Sequence, residues 1–152
     1  MKTVAFFDAK TYDRESFSRF KGEALNIRFF DSRLNADTVS MTACCDAVCV
    51  FVNDTLDREV IDRLEQYGVG LIALRCAGYN NVDLKAAQGR IKVVRVPAYS
   101  PHAVAEHAMG MILTLNRRLH RAYIRTRDHN FSLDGLIGFD LYGKTVGVIG
   151  TG

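Results

Sequence analysis

A chain of 152 residues is long enough for one full core, burying roughly 70% of its unfolded surface if it forms a single domain. With 48% hydrophobic residues, 24% charged residues and only 2 prolines, its composition excludes the disordered and collagenous classes. A formal net charge of +3 is too mild to mark a nucleic-acid partner, and none is expected.

The longest apolar runs, residues 47–52 and 69–74, are too short to cross a bilayer, so no membrane association is expected. Near the N-terminus Lys2 precedes a brief apolar stretch that Asp8 cuts off. A secretory signal needs a longer apolar core and a small-residue cleavage site, so the expected location is cytoplasmic. Cys44, Cys45, Cys49 and Cys76 fit a reducing compartment, because their spacing builds no disulfide framework. Cys45 and Cys49 lack two further ligands at short spacing, so they read as small buried hydrophobes and no metal site is expected.

Short β-branched runs alternate with amphipathic stretches, the pattern of a parallel sheet flanked by helices. Residues 3–7, 26–30, 47–52, 71–74 and 92–96 predict five strands, each apolar nearly throughout, as strands covered on both faces should be. After Asp54-Thr55, Leu56, Val60, Ile61 and Leu64 share one helical face, and Gly68 closes the turn. The expected fold is α/β: a flavodoxin-like, doubly wound parallel sheet over residues 1–99.

A long helix is then predicted. Ser100 is a good N-cap and Pro101 suits the first turn. Val104, Ala108, Met111, Ile112, Leu115, Leu119 and Ala122 recur every three or four residues up to about Arg125, a continuous apolar stripe suited to joining two bodies. Residues 145–149 predict another strand, running into Gly150-Thr151-Gly152. That is two-thirds of a G-x-G-x-x-G turn, in which glycines let the backbone approach a pyrophosphate at the next helix's N-terminus. Residues 100–152 are therefore expected to be an interdomain helix plus the start of a truncated nucleotide-binding domain.

The second chemical feature is Arg75-Cys76-Ala77-Gly78-Tyr79-Asn80-Asn81-Val82-Asp83, directly after a strand. Ligands of open α/β sheets bind beyond the carboxyl ends of strands. Small residues at Ala77-Gly78 allow backbone N–H groups to face a small anion. A tight turn followed by a helix capped by Asp83 accounts for the same residues.

These stretches, together with Val96-Pro97-Ala98-Tyr99-Ser100-Pro101, Ala103-Val104-Ala105-Glu106-His107 and residues 141–152, resemble the D-isomer-specific 2-hydroxyacid dehydrogenases, in particular their fermentative D-lactate type. The resemblance runs in order over essentially the whole chain. It implies that the Ala77 and Gly78 amides hold the carboxylate of a small 2-oxo or 2-hydroxy acid and that Tyr99 walls the active site. It places Val104 close to the nicotinamide of NAD, with Gly150, Thr151 and Gly152 beginning the pyrophosphate loop. The family's catalytic arginine, glutamate and histidine fall in segments beyond position 152. None is therefore assigned to His102, His107, His120, His129 or the arginines of the long helix. The resemblance further implies a homo-oligomer when full-length, reduction of pyruvate to D-lactate, and an inactive fragment.

Three rival readings remain. An NAD(H)-sensing corepressor shares this architecture. A phospho-acceptor receiver has the same size and alternation, yet needs a pair of acids after the first strand, where only Asp8 stands, and Ser or Thr ending the fourth, which ends at Leu74-Arg75. Arg117, Arg121 and Arg125 at four-residue spacing would suit a phosphate backbone, but a solvated face, or one covered by another domain or subunit, explains them better, given few interleaved aromatics and a modest net charge.

Overall fold

The computed structural model describes residues 1–20 and 22–150, in two compact units, Met1–Tyr99 and Ser100–Gly152. Thr151 and Gly152, expected in the pyrophosphate loop, lie outside the described residues.

The first unit follows the alternation of its sequence: β1 (Lys2–Phe6), α1 (Thr11–Phe20), β2 (Leu25–Phe29), β3 (Ala47–Val50), α2 (Arg58–Gln66), β4 (Leu71–Leu74), α3 (Leu84–Ala87) and β5 (Lys92–Arg95). All pairings are parallel, in the order β2-β1-β3-β4-β5. This is the flavodoxin-like doubly wound order, so the carboxyl ends of β1, β3 and β4 open side by side. One face of the sheet packs Phe7, Val48, Val50 and Ile72 against Val60, Ile61 and Leu64 of α2. Those three helix residues are fully buried, worth roughly 1.5–3 kcal/mol each. Asp57 caps α2 by accepting from the Val60 N–H at 3.0 Å, and Gly68 ends the turn at φ +82°. The other face holds Phe6, Ala9 and Cys49, with the Phe17 ring of α1 edge-on to Phe6 at 4.8 Å.

In the second unit Ser100 Oγ accepts from the Ala103 N–H at 3.2 Å and opens α4 (Pro101–Arg117). The expected helix is not continuous to Arg125. Arg118 takes a left-handed conformation, φ 51° and ψ 37°, and a separate helix α5 (Leu119–Arg127) follows. The break takes Arg117 and Arg121 off one continuous face, and the Arg125 guanidinium is engaged by the carbonyls of Ser132 and Asp134. Residues 145–149 form no strand, since none of the described residues pairs with them and a strand needs a ladder partner. Among the described residues no helix is long and apolar enough to cross a membrane.

Candidate active-site loop at the carboxyl end of the sheet

After β4 the Arg75 N–H makes one more ladder bond, to the Val50 carbonyl at 3.1 Å, and the chain then leaves the sheet. In the loop that follows, the carbonyls are tied back. The Cys76 oxygen accepts from the Val96 N–H at 3.2 Å and the Ala77 oxygen from Arg95 Nη1 at 2.6 Å. The Gly78 oxygen accepts from the Cys76 thiol at 3.3 Å, and the Tyr79 oxygen from the Val82 N–H at 3.1 Å. The N–H groups of Ala77, Gly78, Tyr79 and Asn80 donate to no acceptor among the described residues. A backbone with its oxygens engaged and its donors free presents local positive potential, as an anion nest does.

The free donors border open space. Gly78 is exposed, and a Cβ built there meets no heavy atom within 4 Å. A cleft of about 400 Å³ is lined by Val52, Gly78, Asn80 and Asn81. Asn81 fixes its floor, donating from Nδ2 to the carbonyls of Phe51 at 2.9 Å and Asp54 at 3.0 Å, which joins the loops after β3 and β4. Asp83 accepts from the Ala86 N–H at 2.9 Å and caps α3, so the capping reading of this segment holds alongside the free amides.

Two buried groups brace this edge. The Arg75 side chain, 14% exposed, lies between the rings of Phe6 and Phe51, 4.5 and 4.9 Å from their centroids. Its Nη2 donates to the Asp8 carbonyl at 2.9 Å, and its Nε stands 3.8 Å from Asp13 Oδ1. Asp8 is itself left-handed, at φ 48°. Asp54, 2% exposed, accepts the N–H groups of Leu34 at 2.7 Å and Phe51 at 2.5 Å. Burial pushes its carboxyl up, against the pull of those N–H groups and of Arg75. Burial also pushes Cys76 up and takes Cys49 to about 11, so neither thiol is set up as a nucleophile. Cys44 alone of the four is exposed, and all are free.

Of the residues singled out in the sequence, Ala77 and Gly78 share this loop. Tyr99 is the last residue of the same unit and 61% exposed. Val104, 59% exposed on α4, and Gly150, at φ +83°, belong to the second unit. Sequence reasoning missed Val52, Asn81, Asp54, Arg75 and Arg95 as parts of the site. Only Asn80-Asn81 carried a local signal, as turn-forming residues after a strand.

The family model for the D-isomer specific 2-hydroxyacid dehydrogenase catalytic domain matches residues 4–146. The chain belongs to this family. It is 57% identical over 151 residues to a 2-hydroxyacid dehydrogenase homolog of Haemophilus influenzae and 56% identical over 151 residues to D-lactate dehydrogenase of Escherichia coli. Each match covers 98% of this chain and 46% of the relative, so the chain spans about half the length of the curated relatives it matches. The apo structure of E. coli D-lactate dehydrogenase superposes with a TM-score of 0.89 at 55% identity, over 99% of this chain and 49% of that one. D-lactate dehydrogenase from Aquifex aeolicus, complexed with NAD and lactic acid, matches with a TM-score of 0.72 at 29% identity, over 91% of this chain and 41% of that one.

Proposed function

We propose that this chain is the substrate-binding part, with the start of the nucleotide-binding part, of an NAD-dependent D-2-hydroxyacid dehydrogenase that reduces pyruvate to D-lactate. The observation that carries the reading is the loop after β4, whose free N–H groups border an open cleft in a chain of this family. A carboxylate there accepts from the amides of Ala77 and Gly78, with Asn81 holding the loop and Val52 bounding the space for the acid's side chain. Val52 is the one apolar side chain on that cleft, which suits a small substituent such as a methyl group. Tyr99 would wall the site with its phenol.

NAD fits what the chain contains of its site. Gly150 is held at φ +83°, a backbone turn that other residues rarely adopt, as the tight turn of a pyrophosphate loop requires. Gly150, Thr151 and Gly152 would hold that pyrophosphate, and Val104 would bound the nicotinamide. When bound, the cofactor supplies the hydride that reduces C2 of the 2-oxo acid. This chain's residues hold the carboxylate so that C2 is presented in one orientation, a positioning contribution. None of this chain's histidines, arginines or glutamates is assigned to the family's proton-donating and carbonyl-polarising set.

Free thiols at all four cysteines support a reducing, cytoplasmic setting. For the complete protein a homo-oligomer is carried over from the family resemblance alone. A corepressor role draws no support from relatives named as dehydrogenases. The test is NADH oxidation by the complete protein with pyruvate and longer 2-oxo acids, and the chirality of the product. D-lactate formed preferentially from pyruvate is expected; no turnover of any 2-oxo acid, or L-lactate, overturns the reading.

A further inference from the structure

The donors of the loop are held from behind by a charge. A peptide unit carries one residue's carbonyl and the next residue's N–H in the same plane. Engaging the oxygen withdraws density from the nitrogen and makes that N–H a stronger donor. The oxygen in the unit of the Gly78 N–H is that of Ala77, and it accepts from Arg95 Nη1 at 2.6 Å. The unit of the Ala77 N–H is backed by the neutral Val96 N–H at 3.2 Å, and that of the Tyr79 N–H by the Cys76 thiol at 3.3 Å. Arg95 alone brings a full charge, and charge-assisted bonds are roughly twice as strong as neutral ones.

The placement of Arg95 adds to this. It is the last residue of β5, with its guanidinium carbon 5.3 Å from the centroid of the Tyr79 ring, which steadies the group over the loop. Among the described residues it forms no ion pair, whereas Arg75 has Asp13 and Arg90 has both Asp62 and Glu65. Its charge is therefore not cancelled locally. It is also exposed, so its removal leaves no buried group unsatisfied except the Ala77 carbonyl, which water can reach.

We infer that Arg95 is a positioning residue for the substrate carboxylate, anchoring the Ala77 carbonyl so that the Gly78 N–H is aimed outward and strengthened, and favouring an anion there through its own charge. This rests on the reading that the Ala77 and Gly78 amides hold the carboxylate. The test compares wild type, Arg95→Met and Arg95→Lys in the complete protein. Arg95→Met raises the KM for pyruvate and the inhibition constant of oxamate, a pyruvate isostere, about tenfold. The affinity for NADH and the melting temperature stay at wild-type values, and kcat at saturating pyruvate falls far less than KM rises. Arg95→Lys, which keeps the charge, recovers part of the loss. KM is expected to rise with salt in wild type and to rise less steeply in Arg95→Met. Equal losses in kcat, NADH affinity and melting temperature would show a merely structural arginine and overturn the inference, as would an unchanged KM. The Gly78 amide proton resonance, read without substrate, moves upfield in Arg95→Met; an unmoved resonance overturns the inference too. That arm holds even if wild type reduces no 2-oxo acid, a result that sinks the functional reading instead.

Discussion

Gly78→Ala adds one methyl group at the point where a binding loop and an ordinary turn make opposite demands. A Cβ at this position meets no heavy atom within 4 Å, and Gly78 is not among the glycines held at positive φ. The substitution therefore brings neither clash nor backbone strain. Lower entropy of the unfolded chain stabilises the variant by about 0.4–1 kcal/mol, so a urea midpoint stays level or rises. The same methyl enters the cleft of about 400 Å³ beside the free N–H groups. One misplaced methyl-sized group in a ligand's space costs about 1–3 kcal/mol, or roughly 10- to 200-fold in binding. The expected outcome in the complete protein is a KM for pyruvate raised at least about tenfold, at undiminished stability. Gly78→Val deepens the loss. If KM and oxamate inhibition match wild type, the carboxylate does not sit at this loop. If instead the urea midpoint falls by the equivalent of more than about 1 kcal/mol, Gly78 serves the turn and the argument from open space fails.

Four further outcomes follow from the same structure. Asp54→Ala leaves the buried N–H groups of Leu34 and Phe51 without their acceptor, at about 1–3 kcal/mol each. Because burial already disfavours the Asp54 carboxylate, the net loss lies toward the low end, about 2 kcal/mol at unchanged m-value; a change under about 0.5 kcal/mol contradicts the reasoning. Maleimide at pH near neutral modifies Cys44 before the buried Cys45, Cys49 and Cys76, read by mass spectrometry of peptides; labelling of Cys49 first would refute it. Cys49 has a folded pKa raised from 9.0 to about 11, so the stability it lends is fully present below 9.0 and is lost as pH rises toward 11. Cys49→Ala therefore makes the alkaline fall in urea midpoint shallower, and an unchanged slope counts against burial as the cause. In the second unit a Cβ added at Gly138 would clash with the Asn116 carbonyl oxygen. Gly138→Ala should thus open the clasp in which Asn116 grips the Phe139 backbone at 2.7 and 3.0 Å, and limited proteolysis should cut faster within residues 128–140. Wild-type cleavage kinetics would refute it.

The central strands were legible as apolar runs, β3 buried throughout and β4 read to the residue, while the edge strands β2 and β5 were found although much of each is exposed. Misplaced ends have local causes that periodicity does not carry. Residues 47–52 were expected to run as one strand, but Phe51 turns its N–H to the Asp54 carboxylate, so β3 stops at Val50. Helix α1 was expected only as one of the helices between the strands, with no bounds or face, because it buries only Asp13 and leaves Tyr12 and Phe20 exposed. The break at Arg118 was invisible for the opposite reason. The apolar spacing continues across it through Leu119 and Ala122, while the backbone angle that ends α4 leaves no mark on hydrophobic pattern.

The candidate site divides in the same way. Ala77-Gly78 after a strand is a local pattern of small residues, and it led to the loop. What makes that loop a set of aimed donors is not local. The Ala77 carbonyl is held by a residue 18 positions away, and Asn81 reaches partners 27 and 30 positions away. Those meetings depend on β3, β4 and β5 lying side by side, so that the segments leaving their carboxyl ends touch. Sheet order is a global property that no window of sequence states. An anion site assembled at such a place therefore shows its donors in the sequence and hides the groups that aim them. Arg95 belongs to the hidden part: to a reader of the chain it is one basic residue ending an edge strand. Beside Ala77, it is the charge behind the hydrogen bond on which the orientation of a substrate would depend.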